Sequence, residues 1–301
     1  MRIGIDLGGT KIEGILLADD GSVSEKIRVD TPADNYQKTV NALCNVVMAL
    51  QTSAGKNCKV GIGTPGALTP ITEIMKNCNS ICLNGKPLKN DIESQLGYEI
   101  VVENDANCFA LSEACYGAAK GSATVFGVIL GTGTGGGLVN NKRLHTGPNR
   151  IAGEWGHNSI PDSVRRLIEA DRKCYCGRDN CIETVLSGRG LKQSHLERSG
   201  NSLEARKIAV LADSGDKVAG QSIDVYCQQL ARCLSTVINL YDPEMIVLGG
   251  GLSNISTLYE KVPGYLEGFV FTERVLTKLA APKFGDASGA LGAACLWPIE
   301  K

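Results

Sequence analysis

Two segments about 123 positions apart repeat one pattern, and that repeat constrains the fold more than any single motif. Gly4-Ile5-Asp6-Leu7-Gly8-Gly9-Thr10 and Gly127-Val128-Ile129-Leu130-Gly131-Thr132-Gly133 each read as an apolar strand running into a glycine turn, with a second apolar run after it. A weak internal repeat of this kind points to a duplicated pair of domains with a glycine turn in each half. At roughly 150 residues per domain, 301 residues also suit two domains. Gly117-Ala118-Ala119-Lys120-Gly121-Ser122 breaks a helical stretch, so the expected division is residues 1–119 and 120–301.

Strands alternate with helical stripes along the chain, which gives an α/β class. Strands are expected over residues 3–7, 12–17, 59–63, 100–102, 125–130 and 245–248, and from Leu138 onward. Asp34, with Gln37 three residues on, reads as a capping box for a helix whose stripe is Val40, Leu43, Val47 and Leu50. A second helix opens at Glu103-Asn104-Asp105 and runs to about Ala119. A long helix over about 219–241 places Ile223, Leu230, Leu234, Val237 and Leu240 on one face, and Asp242-Pro243 stops it. Residues 157–190 read as irregular. A terminal helix, rich in Gly and Ala, is expected over about 286–298 and should pack back on the first domain.

Composition narrows the function. The chain carries 31 basic and 32 acidic residues, a net charge of −1, which argues against nucleic acid or an anionic membrane as the main partner. Asp6 interrupts the first apolar stretch, so no signal peptide is expected, and no run is long enough to span a bilayer. A cytoplasmic location with reduced thiols follows as an expectation. Glycine is the outlier: 36 residues, about 12% against a usual ~7%.

The glycines cluster where an anion could sit against backbone N–H groups. Gly8-Gly9-Thr10 adds a hydroxyl, and Lys11 adds a cation. Gly131-Thr132-Gly133-Thr134-Gly135-Gly136-Gly137 adds two more hydroxyls. A tight hairpin also wants glycine, and for an isolated Gly-Gly that reading is the stronger. Seven residues with five glycines read instead as a phosphate loop. Gly61-x-Gly63-x-x-Gly66 and Gly131-x-Gly133-x-x-Gly136 match the dinucleotide fingerprint, but neither opens a helix as that fingerprint requires.

Asn104 and Asp105 lie where a strand gives way to a helix. An ionised Asp there can accept the proton of a substrate hydroxyl while phosphorus is attacked. Locally, a cap plus a first-turn acid is the stronger reading of the pair. Glu154-Trp155-Gly156-His157 forms a polar cluster, with Glu154 suited to hydroxyls and Trp155 to an apolar face. His157, Cys174, Cys176 and Cys181 supply three thiols and an imidazole, a closed four-ligand set for structural zinc, with Gly177 permitting the chain reversal. Three thiols within eight positions of a polar segment would otherwise be exposed and reactive.

Together these motifs resemble the ROK family of repressors, open reading frames and sugar kinases. The resemblance rests on Asp6-x-Gly8-Gly9-Thr10-Lys11, Asn104-Asp105, Gly131-Thr132-Gly133, Glu154-x-Gly156-His157, Cys174-x-Cys176-Gly177-x-x-x-Cys181-x-Glu183 and Gly249-Gly250-Gly251, and it spans nearly the whole chain. It implies the actin-like ATPase (ribonuclease H-like) fold of two lobes around a cleft. It implies that Gly4, Ile5, Asp6, Leu7, Gly8, Gly9, Thr10 and Lys11, with Gly131 to Gly137 and Leu138, hold the phosphates of ATP, and that Gly249, Gly250 and Gly251 lie by the adenosine. Asp105 would be the base, and Gly66, Asn104, Asp105, Glu154, His157 and Glu183 would contact a hexose. Magnesium would bridge the phosphates with Asp6 as a water-mediated partner, and a homodimer is the implied assembly. The family's cysteine turn usually has glycine where Asn180 stands; Asn is the next most tolerant of left-handed geometry.

Within the family, Asn79-Ser80-x-x-Leu83-Asn84-Gly85 and Trp155 resemble the fructokinase (manno-fructokinase) branch, so fructose is the expected substrate. N-acetylglucosamine kinase and glucokinase or mannokinase activity are the alternatives. A sugar-responsive regulator of the same family is a further alternative. Its DNA-binding domain would precede the kinase-like part, and the first phosphate turn here begins at Gly8.

Overall fold

The computed structural model describes every residue except Ala33, Asn79, Asp286, Ala287 and 299–301. It divides the chain into two compact units. The first comprises residues 1–120, 137–152 and 284–301, and the second residues 121–136 and 153–283.

The first unit is built on β1 (Arg2–Leu7), β2 (Lys11–Leu17), β3 (Val23–Asp30), α1 (Tyr36–Ala54), β4 (Lys59–Thr64), the small ladder of β5 (Ala67–Leu68) with β6 (Met75–Lys76), α2 (Leu88–Leu96), β7 (Val101–Asn104) and α3 (Asp105–Cys115). Its sheet has the order β3-β2-β1-β4-β7, with β1, β4 and β7 parallel and β2 and β3 antiparallel. The strand β3 was not expected from sequence, because VSEKIRVD is too polar to signal a buried strand. Cross-strand charge holds this edge: Glu13, nearly buried, pairs with Lys26 at 2.8 Å and Arg28 at 3.3 Å.

The cap of α1 is Asn35, not Asp34. Asp34 adopts left-handed φ 54, whereas Asn35 is extended and its side chain accepts from Lys38 N at 3.0 Å. The expected stripe of Val40, Leu43, Val47 and Leu50 is fully buried. α3 ends at Cys115, four residues before the expected Ala119.

The second unit contains β8 (Thr124–Leu130) and the start of β9 (Thr134–Asn140), which continues to β10 (Arg143–His145). Beyond these come α4 (Asp162–Arg165), α5 (Glu183–Leu186), α6 (Gly188–Ser199), α7 (Ala205–Asp213), α8 (Lys217–Tyr241), β11 (Met245–Gly249), α9 (Thr257–Leu266) and β12 (Lys278–Ala280). The second sheet has the order β10-β9-β8-β11-β12, with β8, β11 and β12 parallel. The segment expected to be irregular contains two single-turn helices, α4 and α5. α8 is capped by Asp216 and stops at Asp242, which takes φ 48 before Pro243. Its buried face is Ile223, Tyr226, Leu230, Leu234 and Ile238. Leu240, expected on that face, is 90% exposed. Six residues beyond Leu234 it has turned well away from the buried stripe.

α10 (Ser288–Cys295) closes the first unit against β1, β4 and α3, and the first two positions of the expected terminal helix, 286 and 287, lie outside the described residues. Small residues permit this contact. A Cβ on Gly4 would lie 1.9 Å from Ala290 O, one on Gly61 1.9 Å from Ala293 O, and one on Gly292 1.7 Å from Cys108 O.

Candidate active site

In the first unit the carboxyl ends of β1, β4 and β7 share one edge. The register sets Asp6 beside Gly63, Gly63 beside Glu103, and Thr64 beside Asn104. That edge therefore carries Asp6, the turn at 8–10, the turn at Gly66, and the Asn104-Asp105 pair. Open α/β sheets bind ligands outside such strand ends.

Asn104 is the cap of α3. Its Oδ1 accepts from Ala106 N at 2.8 Å, and its Nδ2 donates to the Gly66 carbonyl at 2.9 Å. Gly66 is required there, because its φ is 82 and a Cβ would lie 2.4 Å from Lys76 O. Asp105 follows as the first helical residue and is exposed, with Oδ1 accepting from Ala106 N at 2.8 Å. The capping alternative thus describes Asn104, while Asp105 presents its carboxylate at the surface of the edge. Behind them, Glu103 accepts from Asn107 Nδ2 at 3.0 Å, and burial pushes its carboxyl above the usual range.

The first glycine turn is a tight hairpin. Gly8 N donates to Lys11 O at 2.9 Å, and Thr31 Oγ1 donates to Gly8 O at 2.8 Å. Gly9 and Thr10 are exposed. Neither Gly8 nor Gly9 has a left-handed φ, and a Cβ on Gly9 would meet nothing within 4 Å. Conformation and packing do not demand glycine at position 9; a side chain there would fill the open space beside the turn. The Lys11 ammonium pairs with Asp30. Gly4, Ile5 and Leu7 belong to the packed strand, with Ile5 and Leu7 in the core.

In the second unit the parallel strands β8 and β11 bring two glycine turns together, since Gly249 pairs with Ile129 and a Cβ on Gly250 would lie 2.5 Å from Leu130 O. Gly131 and Gly251, like Gly9, face open space. The turn is shorter than the sequence suggests: β9 begins at Thr134, not Leu138. Gly136 makes room for the Phe126 ring, and Gly137, in the first unit, for Ala110 and Ala106 of α3, so these two are packing glycines, and Leu138 is a β9 residue paired with His145. Gly135 O accepts from Trp155 Nε1 at 2.9 Å. The Thr134 hydroxyl is buried with no hydrogen-bond partner.

Glu183, only 7% exposed, braces this turn by accepting from Thr134 N at 3.0 Å. Gly156 lies against Thr134 O, where a Cβ would approach to 1.9 Å. Glu154 therefore begins a single 3-10 turn, Trp155–His157, fastened to the glycine turn. Trp155 is 5% exposed and meets Phe126 edge-on at 5.5 Å. It cannot offer the apolar face to a sugar that the sequence suggested. Of the other motif used for fructose, Asn79 lies outside the described residues.

His157, Cys174, Cys176 and Cys181 converge with all ligand atoms within 4.8 Å of one another. Cys176 and Cys181 sulfurs are 3.6 Å apart, and Cys174 Sγ is 3.6 Å from His157 Nδ1. A tetrahedral centre with Zn–S of about 2.3 Å and Zn–N of about 2.0 Å sets such edges at about 3.8 and 3.5 Å, so the donor set fits zinc. Gly177 and Asn180 take φ 88 and 54, so Asn180 supports the turn as expected. The Arg178 backbone N–H lowers Cys176 to about 6, while burial pushes Cys181 up to about 12. Sequence reasoning missed Tyr175, whose hydroxyl lies 3.0 Å from His157 Nε2. A tyrosine between two cysteines carries no signal of its own.

The ROK family model matches residues 2–300. The chain belongs to the ROK family. It is 37% identical over 301 residues to the N-acetyl-D-glucosamine kinase of Pasteurella multocida, with 99% of each chain covered. Among solved structures it is similar to a ROK hexokinase from Thermus thermophilus, at TM-score 0.87 and 27% identity over 98% of this chain and 97% of that one. It is also similar to a ROK glucokinase from Streptomyces griseus solved with glucose and AMPPNP, at TM-score 0.75 and 27% identity over 98% of both. The fold is of the actin-like ATPase type, and this ROK protein is a sugar kinase. Among the described residues no helix is long and apolar enough to cross a membrane.

Proposed function

We propose that this ROK sugar kinase transfers the γ-phosphoryl group of ATP to a hydroxyl of N-acetyl-D-glucosamine. The observation that carries the substrate is the full-length similarity to the Pasteurella multocida N-acetyl-D-glucosamine kinase. It displaces fructose, which rested on the likeness of residues 79–85 and of Trp155 to the fructokinase branch.

Asp105 supplies the base. As the sugar oxygen bonds to the γ-phosphorus, its proton passes to the Asp105 carboxylate, and the β–γ bridging oxygen leaves with ADP. Such a transfer needs positioning and charge neutralisation more than covalent help from the protein. Asn104 fixes the base by capping α3 and clamping Gly66. The open turns at Gly9, Gly131 and Gly251 accommodate nucleotide, where added side chains would intrude. Magnesium accompanies ATP as part of the substrate and neutralises phosphate charge. Asp6 is the residue that would hold it through water, and Gly289, whose Cβ would come within 2.5 Å of the Asp6 carboxylate, leaves that group its room. Glu154, His157 and Glu183 would orient sugar hydroxyls. Zinc held by His157, Cys174, Cys176 and Cys181 would have a structural role, because four protein ligands leave no open position.

A coupled ADP-release assay over N-acetylglucosamine, N-acetylmannosamine, glucose, mannose and fructose tests the reading. N-acetylglucosamine should give the highest kcat/KM. A higher value for fructose would restore the fructokinase reading.

A further inference from the structure

The first unit carries a large cavity at the end of its sheet remote from the proposed base. It measures about 750 Å³, and Arg2, Asp19, Lys56, Lys59, Glu99 and Trp297 are among its walls. Arg2 and Lys59 are register partners at the amino ends of the parallel strands β1 and β4. Asp6 and Gly63, near the carboxyl ends, pair four residues further on. At about 3.3 Å per residue the two levels of the sheet lie about 13 Å apart, so the cavity is separate from the edge that carries Asp105.

The charge at this end is unbalanced. Arg2 is only 6% exposed. Its Nη1 donates to Trp297 O at 2.9 Å and its Nη2 to the Tyr116 hydroxyl at 3.0 Å, both uncharged acceptors. Its Nε is buried and has no hydrogen-bond partner. Among the described residues no carboxylate pairs with Arg2, Lys56 or Lys59. Asp19 pairs instead with the Met1 ammonium, at 3.1 Å. A guanidinium withdrawn from water without a counter-charge is costly, and an anion bound in the cavity would supply that charge. A guanidinium beside two ammonium groups suits the oxygens of a phosphate.

The walls also limit what carries the phosphate. Trp297 is held by donating its indole N–H to Val60 O at 2.7 Å, and Lys59 Nζ lies 4.4 Å from the ring centroid. The indole is thus a fixed apolar surface beside the cations. The Asp19 and Glu99 carboxylates accept hydroxyl protons but repel further negative charge. A polyphosphate or a nucleic acid is therefore a poor match. A single phosphate on a hydroxylated ring satisfies the cations, the acceptors and the indole together.

We propose that this cavity binds a sugar phosphate, with Arg2, Lys56 and Lys59 on the phosphate and the sugar ring against Trp297. It is a second ligand site, which takes no part in phosphoryl transfer.

Calorimetric titrations with glucose 6-phosphate and with inorganic phosphate test the assignment, on the unsubstituted protein and on Lys56→Glu/Lys59→Glu. Both lysines are exposed and lie outside the site of the reaction, so an unchanged kcat with N-acetylglucosamine checks that the variant is folded. Reversing two charges beside a bound dianion should weaken glucose 6-phosphate binding at least about tenfold. Binding that the variant keeps at full strength, or no binding to the unsubstituted protein, overturns the site. Inorganic phosphate should bind more weakly than glucose 6-phosphate, because it leaves Trp297 and the carboxylates unused; equal affinities overturn the assignment of a sugar phosphate. If the double variant does not fold, Lys56→Glu alone, which leaves Lys59 on the indole, decides in the same way: weaker binding supports the site, and unchanged binding overturns it.

Discussion

Replacing Gly292 by alanine should destabilise the protein, against the usual sign for a helical glycine. In an unencumbered helix Gly→Ala gains about 1 kcal/mol from backbone entropy. At position 292 the new methyl would lie 1.7 Å from Cys108 O and 2.4 Å from Cys108 C, both backbone atoms of α3. Carbon contacts are comfortable from about 3.5 Å, so α10 must retreat by about 1.8 Å from a helix it packs against tightly. Overpacking costs about 1–3 kcal/mol where side chains can yield; here neither partner is a side chain, so about 3 kcal/mol or more applies. The net is a loss of at least about 2 kcal/mol, or about 4 °C in Tm at the roughly 2 °C per kcal/mol of a large chain. Gly220→Ala in α8 is the control: its Cβ meets nothing within 4 Å, so its melting temperature should hold or rise. Gly61→Ala, 1.9 Å from Ala293 O, should cost as much as Gly292→Ala. The double variant should cost less than the sum, because one displacement of α10 relieves both. Thermal melts followed by circular dichroism decide the matter. A Gly292→Ala protein melting at or above its parent would refute the packing argument.

Purified protein should carry about one zinc per chain by elemental analysis; a stoichiometry near zero, or full resistance of residues 173–181 to proteolysis after chelation, would count against the structural metal. Asn104→Ala should lose about 1 kcal/mol of stability with the cap and raise the KM for sugar by freeing the Gly66 turn; denaturant melts and initial rates read the two effects separately. Glu103→Gln should gain stability relative to its parent as pH rises from 4 to 7. Burial raises the Glu103 carboxyl in the folded state, so the native protein holds a proton there that the unfolded chain has released, and its stability falls through that window. A stability difference independent of pH would contradict the burial.

Both glycine turns were legible because each ends a short buried strand, and the repeat between them reappears as two sets of parallel strand ends. The zinc-type cluster was legible because thiols are rare in polar segments. What the turns do was less so. Gly9 and Gly131 look the same in sequence as Gly136 and Gly137, yet the first two face open space and the others yield to Phe126 and α3. Only the packing partner distinguishes them. The strand β3 escaped notice because its stability comes from pairing with β2 and from the Glu13 ion pairs rather than from burial. Trp155 misled because an aromatic beside Glu154 reads as a sugar platform until its indole is found donating to Gly135 O. Asn35 displaced Asp34 as a cap because Asp34 takes the left-handed turn that precedes the helix.

The exposed carboxylate at the start of α3 is the point on which the chemistry turns. Asp105→Asn keeps its size and removes its basicity. With ATP and N-acetylglucosamine, its kcat for ADP formation should fall by about 10²–10⁴, the usual contribution of a positioned base, while calorimetry still detects the sugar. An Asp105→Asn enzyme that binds the sugar and turns it over at the parent rate would contradict the account.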